Sequence, residues 1–249
     1  MAESGAGSWG VKFGVLTPAT NLTVEDEYWS MRVDGTTIAT ARIVIDQVDW
    51  RVPEDLAKFV DGVTKRIPDA VTHVMQAKPD ALVLGISISV LWGGLTGDQA
   101  LKAQVKADTG LQLFTAVDAI VAGLAAINAK RVAVVTPYPE LADKPVKSFF
   151  DDIGVTVLAQ KSLRAVSASS IGEIPPADMR QAMRDANVPG AEAIVTLGTD
   201  LRISRIAAQA EDWLGLPTIA VNAATWWVAL RRMGVRTQLN DWGFLLRNH

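Results

Sequence analysis

Short apolar segments alternate along the chain with longer segments in which apolar residues recur at helical spacing. The short segments predict strands at 11–17, 38–45, 81–88, 111–115, 131–136, 155–160, 192–196 and 217–221. The longer segments predict helices at 53–77, 96–109, 116–129, 139–152, 175–187, 202–214 and 223–233. Continuous apolar strands separated by helices are typical of parallel sheets that are covered on both faces. The pattern therefore predicts an α/β fold.

The pattern is also duplicated. ALVLGISIS (81–89) and AIVTLGTDL (193–201) each lead from a strand into a turn, with an amphipathic segment before and after. We interpret the chain as two pseudo-symmetric doubly wound lobes with parallel sheets, the first comprising 1–118 plus 215–249 and the second 119–214. Because open parallel sheets bind ligands beyond the carboxyl ends of their strands, an active-site cleft is expected between the lobes.

Composition restricts the chemistry. The 249 residues include no cysteine and only two histidines, His73 and His249. Disulfides, thiolate metal sites and cysteine nucleophiles are thereby excluded, and neither a metal nor a cofactor is implied. The net charge is −3 and the basic residues are scattered, so no nucleic-acid partner is expected. The apolar runs are too short to span a membrane. The N-terminus does not resemble a secretion signal, so a cytoplasmic location is expected.

Four turns that follow predicted strands carry the candidate chemistry: 17–23, 85–89, 136–138 and 197–200. They are rich in glycine and in hydroxyl and amide side chains, and Asp200 is the one residue among them that carries a carboxyl group. Backbone N–H groups at helix starts, together with such side chains, form a neutral site for carboxylate oxygens. The turns therefore predict a small carboxylate as the ligand.

Each of these residues also has a purely structural interpretation. Asn21 and Asp200 are suitable N-caps for the helices that follow them. Ser87 could be a turn hydroxyl that bonds only to nearby backbone, and Tyr138 could be an ordinary aromatic residue at the cleft edge. The acidic residues at 25–27 are expected to interact with the dipole of their own helix.

Four segments resemble known families. GVLTPATNLTVEDE (14–27) resembles the opening of maleate cis–trans isomerases, and ALVLGISIS followed by WGG (92–94) resembles a loop of arylmalonate decarboxylases. VAVVTPYPELADKPVKSFF (132–150) and LGLPTIAVNAATWWVALRRMG (214–234) resemble both groups. The resemblance covers nearly the whole chain and implies membership of the aspartate/glutamate racemase superfamily. That superfamily has two pseudo-symmetric lobes with the active site between them, and the resemblance is compatible with a homo-oligomer.

The resemblance also implies roles for individual residues. Asn21, in the same loop as Pro18, falls on an asparagine that binds a substrate carboxylate. Ser87 matches one of two hydroxyl residues in the dioxyanion pocket of the decarboxylases, whereas Ile86 replaces the other. Tyr138 falls on a tyrosine that bonds the carboxylate in both groups.

In the second lobe, Gly198 falls on a residue that donates its backbone N–H, and Thr199 comes directly after it. Ser169 or Ser170 falls near an asparagine of the isomerases. The two catalytic cysteine positions of the superfamily are occupied by Gly85 and Leu197. A two-cysteine mechanism, and protonation by cysteine after decarboxylation, are therefore excluded.

Three functions are compatible with these residues. The first is a cofactor-independent lyase or isomerase acting on a small carboxylic or dicarboxylic acid through a carbanion or enediolate, with a proton from Tyr138, Asp200 or water. The second is a thiol-free hydrolase or hydratase in which Asp200 activates water while Ser87 and the Gly198 amide hold the oxyanion. The third is a carboxylate-binding protein without turnover. A set of apolar residues favours an acid with a hydrophobic group: Ile86, Val90, Leu91, Trp92 and Leu197.

Overall fold

Two four-stranded parallel sheets form the framework of the protein. The computed structural model describes residues 9–249, apart from the side chains of Ser89 and Val90. The first sheet has the order β2-β1-β3-β4 and the second the order β6-β5-β7-β8. Since the two orders are equivalent, the predicted α/β fold with two pseudo-symmetric lobes is confirmed. The strands are β1 (Val11–Pro18), β2 (Thr36–Ile43), β3 (Ala81–Leu84), β4 (Leu113–Phe114), β5 (Arg131–Thr136), β6 (Thr156–Ser162), β7 (Ala193–Thr196) and β8 (Thr218–Ala220).

Helices cover the two sheets. They are α1 (Thr23–Ser30), α2 (Pro53–Val74), α3 (Ile88–Thr109), α4 (Ala116–Ile127), α5 (Asp143–Asp152), α6 (Pro176–Ala186), α7 (Ser204–Leu214), α8 (Val221–Arg232) and α9 (Phe244–Asn248). The third helix begins eight residues before its predicted start and is interrupted at Gly94, whose φ is +61°. None of the helices in the described part of the chain is long and apolar enough to cross a membrane.

Two of the central strands are buried along their whole length, as is typical of parallel strands between two helical layers. Every residue of β3 and β7 is buried. Helix α8 adds Trp226, which is fully buried and stacks on Tyr28 with ring centroids 5.0 Å apart. Its Nε1 donates a hydrogen bond to the Met31 carbonyl at 3.0 Å. Trp226 is therefore a packing residue.

The last strand corrects part of the predicted lobe boundary. Thr218–Ala220 pairs in parallel with β7, with Ile194 opposite Thr218. The second sheet therefore takes its edge strand from the segment 215–249, which we had expected to belong wholly to the first lobe. The physical reason is burial, because Ile219 has no exposed surface in this position. Helix α8 then contacts α1 and β3 of the first lobe as well as α4.

Candidate active site

A small cavity lies where the carboxyl ends of strands from both sheets meet. Its internal volume is about 30 Å³, and it adjoins a larger outer cleft at Thr20 and Asp200, which line both. Both lobes contribute to its wall, with polar and apolar side chains in similar number. The wall consists of Pro18, Thr20, Asn21, Trp50, Phe59, Ile86, Ser87, Ile88, Tyr138, Ala168, Ile171, Gly198, Thr199 and Asp200.

A cluster of hydrogen-bonding groups joins the two lobes inside this cavity. Ser87, between β3 and α3, places its Oγ 2.6 Å from the hydroxyl oxygen of Tyr138, which follows β5. The backbone N–H of Gly198, which follows β7, donates to Ser87 Oγ at 3.3 Å. Both side chains are almost fully buried. Burial raises the pKa of the Tyr138 hydroxyl, and the hydrogen bonds with Ser87 and Gly198 offset this only in part. Tyr138 therefore remains a neutral hydrogen-bond donor.

Gly198 is placed there by its backbone conformation. Its φ is +89°, and an added Cβ would lie 2.3 Å from Cγ of Pro137. A side chain would therefore overlap the turn that carries Tyr138, and an L-residue would also be strained at this φ. Glycine is required for the backbone N–H to approach Ser87.

Asn21 connects the first lobe to the same loop. Its Nδ2 donates to Thr199 Oγ1 at 3.1 Å, and that hydroxyl donates to the Gly85 carbonyl at 3.0 Å. Its Oδ1 accepts a hydrogen bond from the Val24 backbone N–H at 3.0 Å, in the first turn of α1. The capping interpretation and the location in the cavity wall therefore hold for Asn21 at the same time.

Asp200 separates the cavity from an outer cleft of about 490 Å³, because its side chain lines both. Its Oδ1 accepts a hydrogen bond from the backbone N–H of Thr23 at 3.3 Å. Thus Asp200 does not cap the helix that follows it, as one interpretation expected, but interacts with the start of α1 in the other lobe. Burial raises the pKa of Asp200 from its ordinary value of 3.8 to about 6, although hydrogen bonds from Thr23 and the charge of Arg202 lower it.

A second buried carboxyl lies behind this loop. Glu27 accepts hydrogen bonds from the Ser204 backbone N–H at 3.3 Å, the Ser204 hydroxyl at 2.7 Å and Asn222 Nδ2 at 2.7 Å. Asn222 Nδ2 also donates to the Thr199 carbonyl at 2.8 Å. Burial raises the pKa of Glu27 from 4.5 to about 7 in spite of these donors. The carboxyl therefore links α1 to the start of α7 and to α8.

This role of Glu27 differs from the expected interaction with the dipole of its own helix. Val24, Glu27 and Tyr28 are all buried, and the spacing i, i+3, i+4 places them on one face of α1. That spacing was a signal in the sequence that Glu27 faces the interior. Its partners Ser204 and Asn222 were not recognisable in the same way, since they lie about 180 and 195 residues away along the chain.

The predicted site residues divide into three groups. Eight of them lie in the cavity wall: Pro18, Asn21, Ile86, Ser87, Tyr138, Gly198, Thr199 and Asp200. Ser169 lies instead in the outer cleft and is exposed. Gly85 and Leu197 are not among the residues of the wall. A Cβ on Gly85 would lie 2.7 Å from Cγ1 of Val24, and Leu197 is fully buried.

The apolar part of the wall differs from the expected set. Ile86 belongs to it, whereas Leu91 and Trp92 do not, and the side chain of Val90 lies outside the described residues. The wall instead contains apolar residues outside the expected set: Trp50, Phe59, Ile88, Ala168 and Ile171. Trp50 and Ala168 come from connecting segments and Phe59 from the middle of α2, so no strand-end pattern indicated them. In the described part of the chain, no three His, Asp or Glu side chains are close enough together to hold a metal ion.

Two lobes of equivalent topology carry hydroxyl and amide donors between them, and the known proteins that match this chain place it among enzymes of the isomerase and lyase group. A family model for arylmalonate decarboxylase matches residues 56–246. The chain therefore belongs to the arylmalonate decarboxylase family, within the maleate isomerase and decarboxylase branch of the racemase superfamily.

Individual relatives are distant but match along the whole length. The maleate isomerase of Nocardia farcinica is 24% identical over 246 residues, which cover 95% of each chain. The structure of a cysteine variant of that enzyme, with a covalently bound succinylcysteine intermediate, has a TM-score of 0.84 and covers 96% of this chain and 99% of that one. A structure of arylmalonate decarboxylase has a TM-score of 0.75 at 19% identity, covering 94% and 98%. These structures share the fold, whereas this chain has no cysteine.

Proposed function

We propose that the protein is a cysteine-independent decarboxylase of a small acid that carries two carboxyl groups on one carbon. The observation that supports this most strongly is the convergence of the Ser87 hydroxyl, the Tyr138 hydroxyl and the Gly198 N–H, contributed by both lobes to one buried cavity. Isomerisation of a double bond is less favoured, because no thiol is present to add to it.

The three donors fit the charge that decarboxylation develops. The bond between the α-carbon and one carboxylate breaks, CO₂ leaves, and the electron pair moves from the α-carbon onto the oxygens of the remaining carboxylate. In the free protein these groups bond to one another. When they donate instead to the carboxylate oxygens, they stabilise the enediolate more than the substrate, because its oxygen charge is larger. Asn21 Nδ2 in the same wall, which uses one of its two hydrogens for Thr199 Oγ1, is the proposed donor to the other oxygen.

Asp200 is the proposed proton donor to the α-carbon. Its pKa of about 6 lies close to neutral pH, where general acids are most effective. Its position between the cavity and the outer cleft allows it to regain a proton from solvent after each turnover. Tyr138 is less suitable, since burial raises the pKa of a hydroxyl that is already a weak acid.

The test is ¹H NMR of the protein with phenylmalonate and with maleate in D₂O. We expect loss of CO₂ from the malonate and deuterium at its α-carbon. Tyr138→Phe should lower kcat/KM by about 10²–10³-fold, the cost of removing one oxyanion donor. Asp200→Asn should lower kcat by about 10²–10⁴-fold. Asp151→Asn, which changes an exposed carboxyl on α5, is the matched control and should retain the wild-type rate.

Two results would contradict the proposal. Saturable binding of both diacids without product would indicate a carboxylate-binding protein. Formation of malate from maleate, or opening of small lactones or amides, with no loss of CO₂ from phenylmalonate would indicate a hydratase or hydrolase.

A further inference from the structure

The cavity wall contains a buried polar group that has no partner. Trp50 is 1% exposed and its ring lines the cavity, yet among the described residues its indole Nε1 has no hydrogen-bond acceptor. The indole of Trp226, by contrast, donates to a backbone carbonyl. Buried N–H groups are nearly always paired, because burial without a partner costs free energy. An unpaired donor beside a ligand cavity therefore requires an explanation.

The contacts of the cavity wall show why the protein itself supplies no acceptor to Trp50. Its ring packs edge-on against Phe59, with ring centroids 5.2 Å apart. The nonaromatic apolar residues of the wall carry no side-chain oxygen or nitrogen: Pro18, Ile86, Ile88, Ala168 and Ile171. The polar side chains of Ser87, Tyr138 and Asn21 bond to one another or to other groups, and none of them accepts from Nε1 of Trp50.

Trp50 is also held in place by the opposite lobe. Its backbone N–H donates to the carbonyl of Val166 at 2.8 Å, in the loop after β6. The contact joins the segment between β2 and α2 to the second lobe, and together with the packing of the ring on Phe59 it restrains the Trp50 side chain. A donor that is held before a ligand arrives loses little entropy when it forms a hydrogen bond.

We propose that Trp50 is a specificity-determining residue whose Nε1–H donates a hydrogen bond to an acceptor atom on the apolar substituent of the substrate. The substrate would then be a small acid whose hydrocarbon substituent carries an ether oxygen, a carbonyl oxygen or a ring nitrogen. This inference rests on the proposed function, since it assumes that the polar donors of the same cavity hold the carboxylate.

The test compares acids that differ only in the acceptor. Cyclohexylacetate is matched with the three positional isomers of tetrahydropyranylacetate, in which one ring CH₂ is an oxygen. Titration calorimetry gives the four dissociation constants. We expect one ether isomer to bind about tenfold more tightly than cyclohexylacetate, the gain from one hydrogen bond to an otherwise unpaired buried donor. Trp50→Phe keeps an aromatic ring without the N–H and should reduce this ratio to about one.

Trp227→Phe is the matched control. Trp227 also has a buried Nε1 without a partner in the described part of the chain, but its side chain is not among those of the cavity wall. The tenfold ratio should persist in this variant. In ¹H–¹⁵N spectra of the wild-type protein, one of the eight tryptophan indoles should shift downfield with the preferred ether, and its signal should be the one missing from Trp50→Phe.

The outcomes separate this inference from the proposed function. If every ether binds like cyclohexylacetate in the wild-type protein, and no indole signal moves, Trp50 is only an apolar wall and the inference is wrong, although carboxylate binding stands. If Trp50→Phe weakens all four acids equally, the inference is likewise wrong. If none of the acids binds and phenylmalonate is not turned over, the carboxylate site itself is refuted, and the inference with it.

Discussion

Replacement of Glu27 by glutamine should remove a large part of the pH dependence of stability. The pKa of Glu27 is raised by burial from 4.5 to about 7 in the folded chain, so between these values the folded state binds more protons than the unfolded state. The contribution of this carboxyl to the free energy of unfolding is then greatest below pH 4.5 and is lost as the pH rises through about 7. Each pKa unit corresponds to about 1.4 kcal/mol, so this carboxyl should lower the free energy of unfolding by about 3 kcal/mol across that window.

Urea unfolding at pH 5 and pH 8 measures this effect. Most of the loss falls between these two values, so the wild-type protein should lose about 2–3 kcal/mol more than Glu27→Gln between them. The comparison uses the pH difference within each protein, because the glutamine amide changes the hydrogen bonds with Ser204 and Asn222 at both values. Glu54→Gln, which alters an exposed glutamate at the start of α2, should behave like the wild type.

An equal pH difference in the wild-type protein and Glu27→Gln would refute this reasoning. It would mean that the three donors around the carboxylate fully compensate for its burial, so that the pKa of Glu27 is the same in the folded and unfolded chain. A larger loss of stability between pH 5 and pH 8 in Glu27→Gln than in the wild-type protein would contradict the predicted direction of the pKa shift.

Three further predictions concern the loops around the cavity. If Asp200 donates the proton, kcat should be constant below pH 6 and should fall tenfold per pH unit above the pKa of about 6. Asp200→Asn should abolish this fall, and a wild-type kcat that does not change with pH would contradict the prediction. Gly198→Ala should destabilise the protein by about 2–4 kcal/mol in urea unfolding, because of its positive φ and the overlap with Pro137; wild-type stability would refute the argument from the backbone. Gly85→Cys should cost about 1–3 kcal/mol through overlap with Val24, and adding Val24→Ala should recover about 1 kcal/mol relative to additivity. Strict additivity of the two changes would contradict that overlap.

Most of the fold could be predicted because its signals are local. Residues 132–135 of β5 and 193–195 of β7 are consecutive apolar residues and are buried, and such segments are distinctive within a few residues. The errors fall where local signals conflict. In the segment 81–88 the apolar residues continue beyond the strand, but β3 ends at Leu84 and Ile88 already begins a helix. Ile86 and Ile88 therefore line the cavity and do not belong to the sheet.

The polar part of the candidate site was more predictable than its apolar part. Ser87, Tyr138 and Gly198 each follow a strand, so their meeting at one edge is a consequence of parallel topology. Trp50 and Phe59 follow no strand directly, and their approach to the cavity depends on how the segment after β2 and helix α2 pack. The raised pKa of Glu27 was equally hidden, because its cause is burial between elements far apart in sequence.

The hydrogen bond between Ser87 and Tyr138 has a consequence for how the protein loses function. One hydroxyl belongs to each lobe, so neither half of the duplicated chain contains the complete donor set. A small separation of the lobes would break the donor set apart while leaving both sheets intact. Ligand binding in the cavity therefore depends on contact between the lobes. Mild denaturants should abolish ligand binding before they reduce the helix and strand content.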